Sequence, residues 1–143
     1  MSIQPQAAAV MNQRFGKDSL IALATVEEGK PFVRAVNAYY EDGSFYIITH
    51  ALSNKMRQLA ANPAASLCGD WFTGEGLGED MGWLLSGPNQ ALADKLKNAF
   101  AAWYHNGHIN ENDPNTHILR IRLTHGVLFD QGARYDIDFD ESL

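Results

Sequence analysis

The strongest constraint on the fold is how closely the strand-like runs follow one another. Leu20 to Glu27, Pro31 to Tyr40 and Ser44 to Thr49 are each rich in apolar, aromatic or β-branched residues, and only the turns Glu28-Gly29-Lys30 and Asp42-Gly43 separate them. An X-Gly dipeptide supplies the positive φ that a tight hairpin needs. Connections this short join antiparallel neighbours, because a parallel pair needs a long crossover. The run Leu20-Ile21-Ala22-Leu23-Ala24-Thr25-Val26 is apolar on both faces, which predicts a strand covered on two sides.

The remaining segments extend this meander. Gln6 to Arg14, following Pro5 and ended by Gly16, predicts a short helix. Ser53 is a helix N-cap for Asn54 to Ala61, and Asn62-Pro63 stops that helix. Ala65 to Phe72 and Gly82 to Ser86 read as a fourth and a fifth strand. Between them the glycine-rich, acidic stretch Gly74 to Asp80 predicts a mobile loop, a candidate lid over a site. Pro88 to Tyr104 is the best helix pattern, with Leu92, Leu96, Ala99, Phe100 and Trp103 on one apolar face. Trp103 therefore reads as core. After a polar loop, His105 to Thr116, comes a strand over Ile118 to Phe129. Its Leu119, Ile121 and Leu123 face one way, and Arg120, Arg122 and Thr124 the other. Gln131-Gly132 turns the chain into a last strand, Tyr135 to Phe139. Without βαβ alternation a doubly wound parallel sheet is excluded. The expected architecture is mainly β with helices (α+β): an antiparallel barrel with helices packed outside, one domain over residues 1–143.

Charge and composition exclude several classes of function. The net charge of -6 argues against nucleic acid or an anionic membrane as partner. One cysteine, Cys68, permits no intrachain disulfide, and Met1 to Val10 does not read as a signal peptide. No stretch approaches the ~18 apolar residues of a membrane helix. The expected location is cytoplasmic. His105, His108 and His117, with Glu111 and Asp113 near them, sit in an Asn- and Gly-rich stretch that reads as an ordinary polar loop rather than a metal site. There is no nucleophile elbow and no hydrolase triad.

The chemistry-bearing residues cluster between Arg34 and Lys55. A hairpin at Asp42-Gly43 places the end of the third strand beside the start of the second, so Arg34 and Thr49 are expected to lie close together. The helix beginning at Ser53 aims free N–H groups at the same corner. Two cations, Arg34 and Lys55, and two hydroxyls, Thr49 and Ser53, suit a phosphate group. The same spacing also suits a solvated strand arginine, a plain helix cap and a surface lysine.

Arg34-Ala35-Val36-Asn37, Tyr46-Ile47-Ile48-Thr49 and Ser53-Asn54-Lys55 followed by Asn62-Pro63, in that order, resemble the pyridoxamine 5'-phosphate oxidase-like family. Ile118-Leu119-Arg120-Ile121-Arg122-Leu123, Gly126-Val127 and Tyr135 extend the resemblance over roughly Leu20 to Phe139. It implies a split β-barrel that forms a homodimer and holds FMN at the interface. Arg34 and Lys55 would then contact the phosphate, helped by Ser53, Thr49 and the Asn54 of the same helix start. The backbone of Ala35, Val36 and Asn37 would line the isoalloxazine ring, with Ile48 and Thr49 beneath it. The family implies electron transfer involving a small-molecule substrate or NAD(P)H. A carrier of flavin, of the deazaflavin F420 or of haem is the non-catalytic alternative. In the oxidase itself a glutamine of the neighbouring subunit approaches the flavin. The comparable strand here, Met81 to Gly87, has none, and Trp71 or Trp83 is expected to close the site instead. The chain also ends in Asp138-Phe139-Asp140-Glu141-Ser142-Leu143, not in the oxidase's Arg-Leu-x-Pro type of segment.

Overall fold

A computed structural model describes residues 3–139, so Asp140 to Leu143 and the first two residues lie outside the described part. In chain order the elements are α1 (Pro5–Phe15), β1 (Ser19–Glu27), β2 (Lys30–Glu41), β3 (Ser44–His50) and α2 (Asn54–Ala61), then β4 (Ala64–Gly69), β5 (Phe72–Trp83), α3 (Gln90–Ala99), β6 (Thr116–Asp130) and β7 (Ala133–Asp138). The strands run β3-β2-β1-β4-β5-β6, every pair is antiparallel, and β3 pairs again with β6. That second pairing closes a six-stranded barrel. Beyond Arg122, β6 no longer pairs with β3; it stays on β5 and carries β7 on its other edge.

Inward positions alternate along each strand. Ile21, Leu23, Phe45, Ile47, Leu67, Phe72, Leu119, Ile121 and Leu123 fill the interior. α1 plugs one end: Phe15 lies 5.5 Å from the Phe45 ring and 5.8 Å from the Phe72 ring. α2 closes the opposite end with Met56 and Leu59. A second apolar cluster joins α3 to the outer side of the barrel through Leu84, Leu96, Phe100, Tyr104 and Ile118. Among the described residues no helix is long and apolar enough to cross a membrane.

Several local expectations need correction. The Gly74 to Asp80 stretch is not a mobile loop but the body of β5. Its glycines alternate with outward residues in step with Phe72, and neighbouring side chains or the backbone of β6 leave no room for a Cβ there. A Cβ on Gly76 would meet the Arg122 carbonyl oxygen at 2.2 Å, and one on Gly78 the Leu59 methyls at 2.9 Å. Glu75 and Glu79 point outward, and Glu79 pairs with Arg122 at 3.0 Å. Ala65 to Phe72 is likewise not one strand. It breaks at Asp70-Trp71, which adopt φ of 34° and 60° and form a two-residue hairpin like those at Asp42-Gly43 and Gln131-Gly132. The separate fifth strand over Gly82 to Ser86 is absent, since β5 ends at Trp83. The long helix is shorter than its periodicity implies. α3 stops at Ala99, and Phe100 to Tyr104 continue the apolar face through turns, with Tyr104 N–H donating to the Phe100 carbonyl at 2.8 Å.

Candidate functional site

The site begins where two strands part. β2 and β3 pair only at Tyr39–Tyr46, Tyr40–Phe45 and Glu41–Ser44, next to their turn. From there β2 stays on β1 along Lys30 to Ala38, while β3 stays on β6 along its whole length. The facing edges diverge, so backbone groups on both sides of the gap have no strand partner. This split corrects the expectation that the hairpin ladder brings Arg34 beside Thr49. Thr49 pairs instead with His117 of β6 and is buried on the inward face.

A cavity of about 470 Å³ occupies the split. Val36 and Asn37 form one wall, Ile47 and Ile48 the other, and Lys55 stands at one end. Trp103, His108 and Ile109, from the segment after α3, supply a further wall. A cleft this size, lined by apolar and polar groups in about equal measure, suits an organic ligand with a flat ring and a polar tail.

Below Lys55 the polar groups are arranged for an anion. Arg34 projects inward and donates to Thr25 Oγ1 at 2.8 Å, to Gln58 Oε1 at 3.0 Å and to the Leu23 carbonyl at 3.3 Å. Thr25 and Gln58 are buried. These partners are all neutral: among the described residues no carboxylate pairs with Arg34 or Lys55. Burial lowers the proton affinity of the Arg34 guanidinium. Burial first, and then the Arg34 charge, hold the Lys55 ammonium below its usual range. Two like charges placed together without a counterion call for one from outside.

The start of α2 adds a third signal. Ser53 has the extended backbone of an N-cap, yet its side chain makes no capping hydrogen bond. Its Oγ is buried and has no hydrogen-bond partner among the described residues. A dry, unbonded hydroxyl costs about 1–3 kcal/mol, and a bound oxyanion at the same helix end would relieve that cost. The first-turn N–H groups of α2 have no partner within the helix and suit an anion as well. Arg34, Lys55 and Ser53 are thus residues that could hold an anionic group, although of the three only Lys55 lines the cleft itself.

The other expected site residues fall in different places. Asn54 is exposed beside Lys55, and Ala35 lies on the outer face opposite Ala22. Neither Trp71 nor Trp83 lines the cleft of its own chain. Trp71 is 75% exposed at the β4–β5 turn, edge-on to Phe129. Trp83 donates its Nε1–H to the Glu111 carbonyl at 2.9 Å. Sequence reasoning missed Trp103, His108 and Ile109, and also Asp18, whose carboxylate accepts from Asn37 and Trp103. Two histidine–aspartate pairs, His117–Asp80 at 2.8 Å and His50–Asp113 at 3.7 Å, stand apart from the cleft lining. No group of three or more metal-ligating side chains occurs among the described residues.

Comparison with known proteins agrees with this geometry. The family model for pyridoxamine 5'-phosphate oxidase matches residues 7–128. The chain belongs to that family, and its split barrel is the family's fold. General stress protein 26 from Bacillus anthracis superposes with a TM-score of 0.69 at 19% identity, over 92% of this chain and 99% of that one. A FAD-binding protein from Mesorhizobium loti gives 0.67 at 16% identity, over 88% and 96%. A heme binding protein from Mycobacterium smegmatis gives 0.72 at 17% identity, over 97% of this chain and 60% of that one. No curated protein sequence gives a significant match.

Proposed function

We propose that this protein is an FMN-dependent oxidoreductase that works as a homodimer. The observation that carries this reading is the unanswered charge at one end of the split: among the described residues Arg34 and Lys55 have no carboxylate partner, and the Ser53 hydroxyl nearby has no partner. The family generally binds flavin, and FMN ends in a phosphate of the kind this corner lacks. A bound flavin supplies reversible two-electron chemistry, so the protein needs no nucleophile of its own. Its residues bind, orient and shield. Arg34, Lys55 and Ser53 hold the phosphate, the free edge of β2 from Ala35 to Asn37 offers backbone groups to the ring, and Ile47 and Ile48 exclude water. A reduced nicotinamide or a small-molecule substrate is the electron donor.

The homodimer draws support from the outer face of β1 and β2. Leu20 and Val33 are 68% and 70% exposed there, beside Ala22, Ala24 and Ala35. A flat, small-residue surface of this kind suits isologous packing.

One observation favours a second reading. His108 lines the same cleft, and a cleft histidine is what an iron porphyrin would need. A carrier of haem is therefore the rival. The visible spectrum, recorded on purified protein and again after excess FMN and desalting, separates the two. Retained flavin bands support the first reading, and a Soret band replaces it with the second. Arg34→Ala with Lys55→Ala should release FMN, since each charge-assisted contact contributes about 1.5–3 kcal/mol. Unchanged retention by the double variant would refute the phosphate assignment. Oxidation of NAD(P)H by the loaded wild-type protein then tests whether it turns over.

A further inference from the structure

We infer that Trp103, fixed by Asp18, is the wall that covers the ligand's ring, and that Asp18 is a positioning residue for it. The inference rests on the flavin reading above and adds residues outside the motifs that suggested it. Asp18 precedes β1, Asn37 lies on β2, and Trp103 follows α3. One carboxylate joins all three: Asn37 Nδ2 donates to Asp18 Oδ1 at 3.0 Å, and Trp103 Nε1 donates to Asp18 Oδ2 at 2.9 Å. Asn37 and Trp103 both line the cleft, so the bridge ties two of its walls together.

The indole is clamped from a second side. It stacks on Phe100 with centroids 4.9 Å apart and planes 29° from parallel, and Phe100 is fully buried. Stacking fixes the plane of the indole, and the Asp18 hydrogen bond fixes its rotation within that plane. An aromatic surface held in this way loses no rotamer freedom when a ring docks against it. The polar end of the cleft at Lys55 orients the ligand's phosphate, and the wall at Trp103 then meets its planar part. Neither Trp71 nor Trp83 can take this role within the chain, because neither reaches the cleft.

Bound-flavin fluorescence tests the inference without any turnover. A tryptophan in contact with a flavin quenches its emission by short-range electron transfer, and phenylalanine does not. Wild-type protein loaded with FMN is expected to be nearly dark. Trp103→Phe keeps the ring packing on Phe100, so it should fold, and it should restore several-fold brighter emission from protein-bound FMN. Trp103→Leu removes the stacking surface and should weaken FMN binding roughly threefold to tenfold. Asp18→Asn can satisfy only one of the two donors. It should brighten bound FMN partway and speed its release, while inorganic phosphate competes for the site as it does in wild type. A Trp103→Phe protein that binds FMN with wild-type affinity and stays equally dark would overturn the inference while leaving the flavin reading intact. A wild-type chain that retains no FMN would overturn both.

Discussion

Replacing Ser53 with alanine should stabilise the ligand-free protein, the reverse of what an N-cap serine usually does. Removing a working serine cap costs about 1 kcal/mol, with a range of 0.5–2. Here the side chain makes no cap bond, so that loss does not arise. What disappears instead is a buried, unbonded hydroxyl, whose penalty is about 1–3 kcal/mol. Taking the low end, Ser53→Ala gains about 1 kcal/mol, a rise of roughly 3–4 °C in Tm for a chain of this size. FMN should cancel the gain. At a ligand concentration of one hundred times Kd the wild-type protein gains about 2.7 kcal/mol from binding. If the hydroxyl contributes one charge-assisted hydrogen bond, its loss raises Kd about tenfold. The variant then gains only about 1.4 kcal/mol at the same concentration. Thermal melts with and without FMN, on both proteins, measure all four quantities. A ligand-free variant that melts lower by the ordinary cap penalty, with the same FMN increment as wild type, would refute the argument.

Lys55→Met should alter the pH dependence of stability. Between the lowered Lys55 value and the ordinary 10.5 the unfolded chain binds more protons than the folded one, so this lysine's contribution grows more favourable as pH rises. Urea unfolding as the pH approaches 10.5 from below should show wild type gaining on the variant, and a constant difference would refute the burial of Lys55 near Arg34. Gly76→Ala should cost about 3 kcal/mol, the upper end for overpacking, because the added methyl meets the backbone oxygen of Arg122 at 2.2 Å. A neutral substitution in chemical denaturation would show that β5 does not pack as described. Leu20→Lys with Val33→Lys should yield a monomer by light scattering with its melting temperature in the ligand-free state little changed, and a dimer that survives both charges would place the interface elsewhere.

The fold was legible wherever one residue type has one local use. Asp42-Gly43 and Gln131-Gly132 announce hairpins because glycine takes positive φ freely. Asp70-Trp71 makes the same turn without a glycine, and a tryptophan at φ of 60° has no sequence signature. Gly74, Gly76 and Gly78 misled for the opposite reason. Glycines in a row suggest a loop, whereas here they alternate with outward residues and make room inside a narrow barrel. The proximity of Arg34 and Lys55 was legible, since two cations and a helix-capping serine fall within one short stretch of chain. The cleft wall was not. Trp103 belongs to an apolar helical period and reads as core, and Asp18 gains its role only when three segments far apart in sequence converge.

The split itself explains why the site is where it is. A strand has two edges, and β3 gives one of them wholly to β6 from Ser44 to His50. β2 gives one of its own to β1 from Lys30 to Ala38. The two remaining edges could zip together, yet they pair only from Tyr39 to Glu41 and from Ser44 to Tyr46. Leaving the rest open sacrifices ladder hydrogen bonds and exposes strand edges, which proteins generally cover. Among the described residues, two cations beside the opening also have no counterion and a buried hydroxyl has no partner. Each of these features is unfavourable in the empty protein, and one phosphorylated planar ligand would answer all of them. The ligand-free protein is therefore less stable than its sequence permits, and substitutions that relieve the site, such as Ser53→Ala and Lys55→Met, should exchange binding for stability.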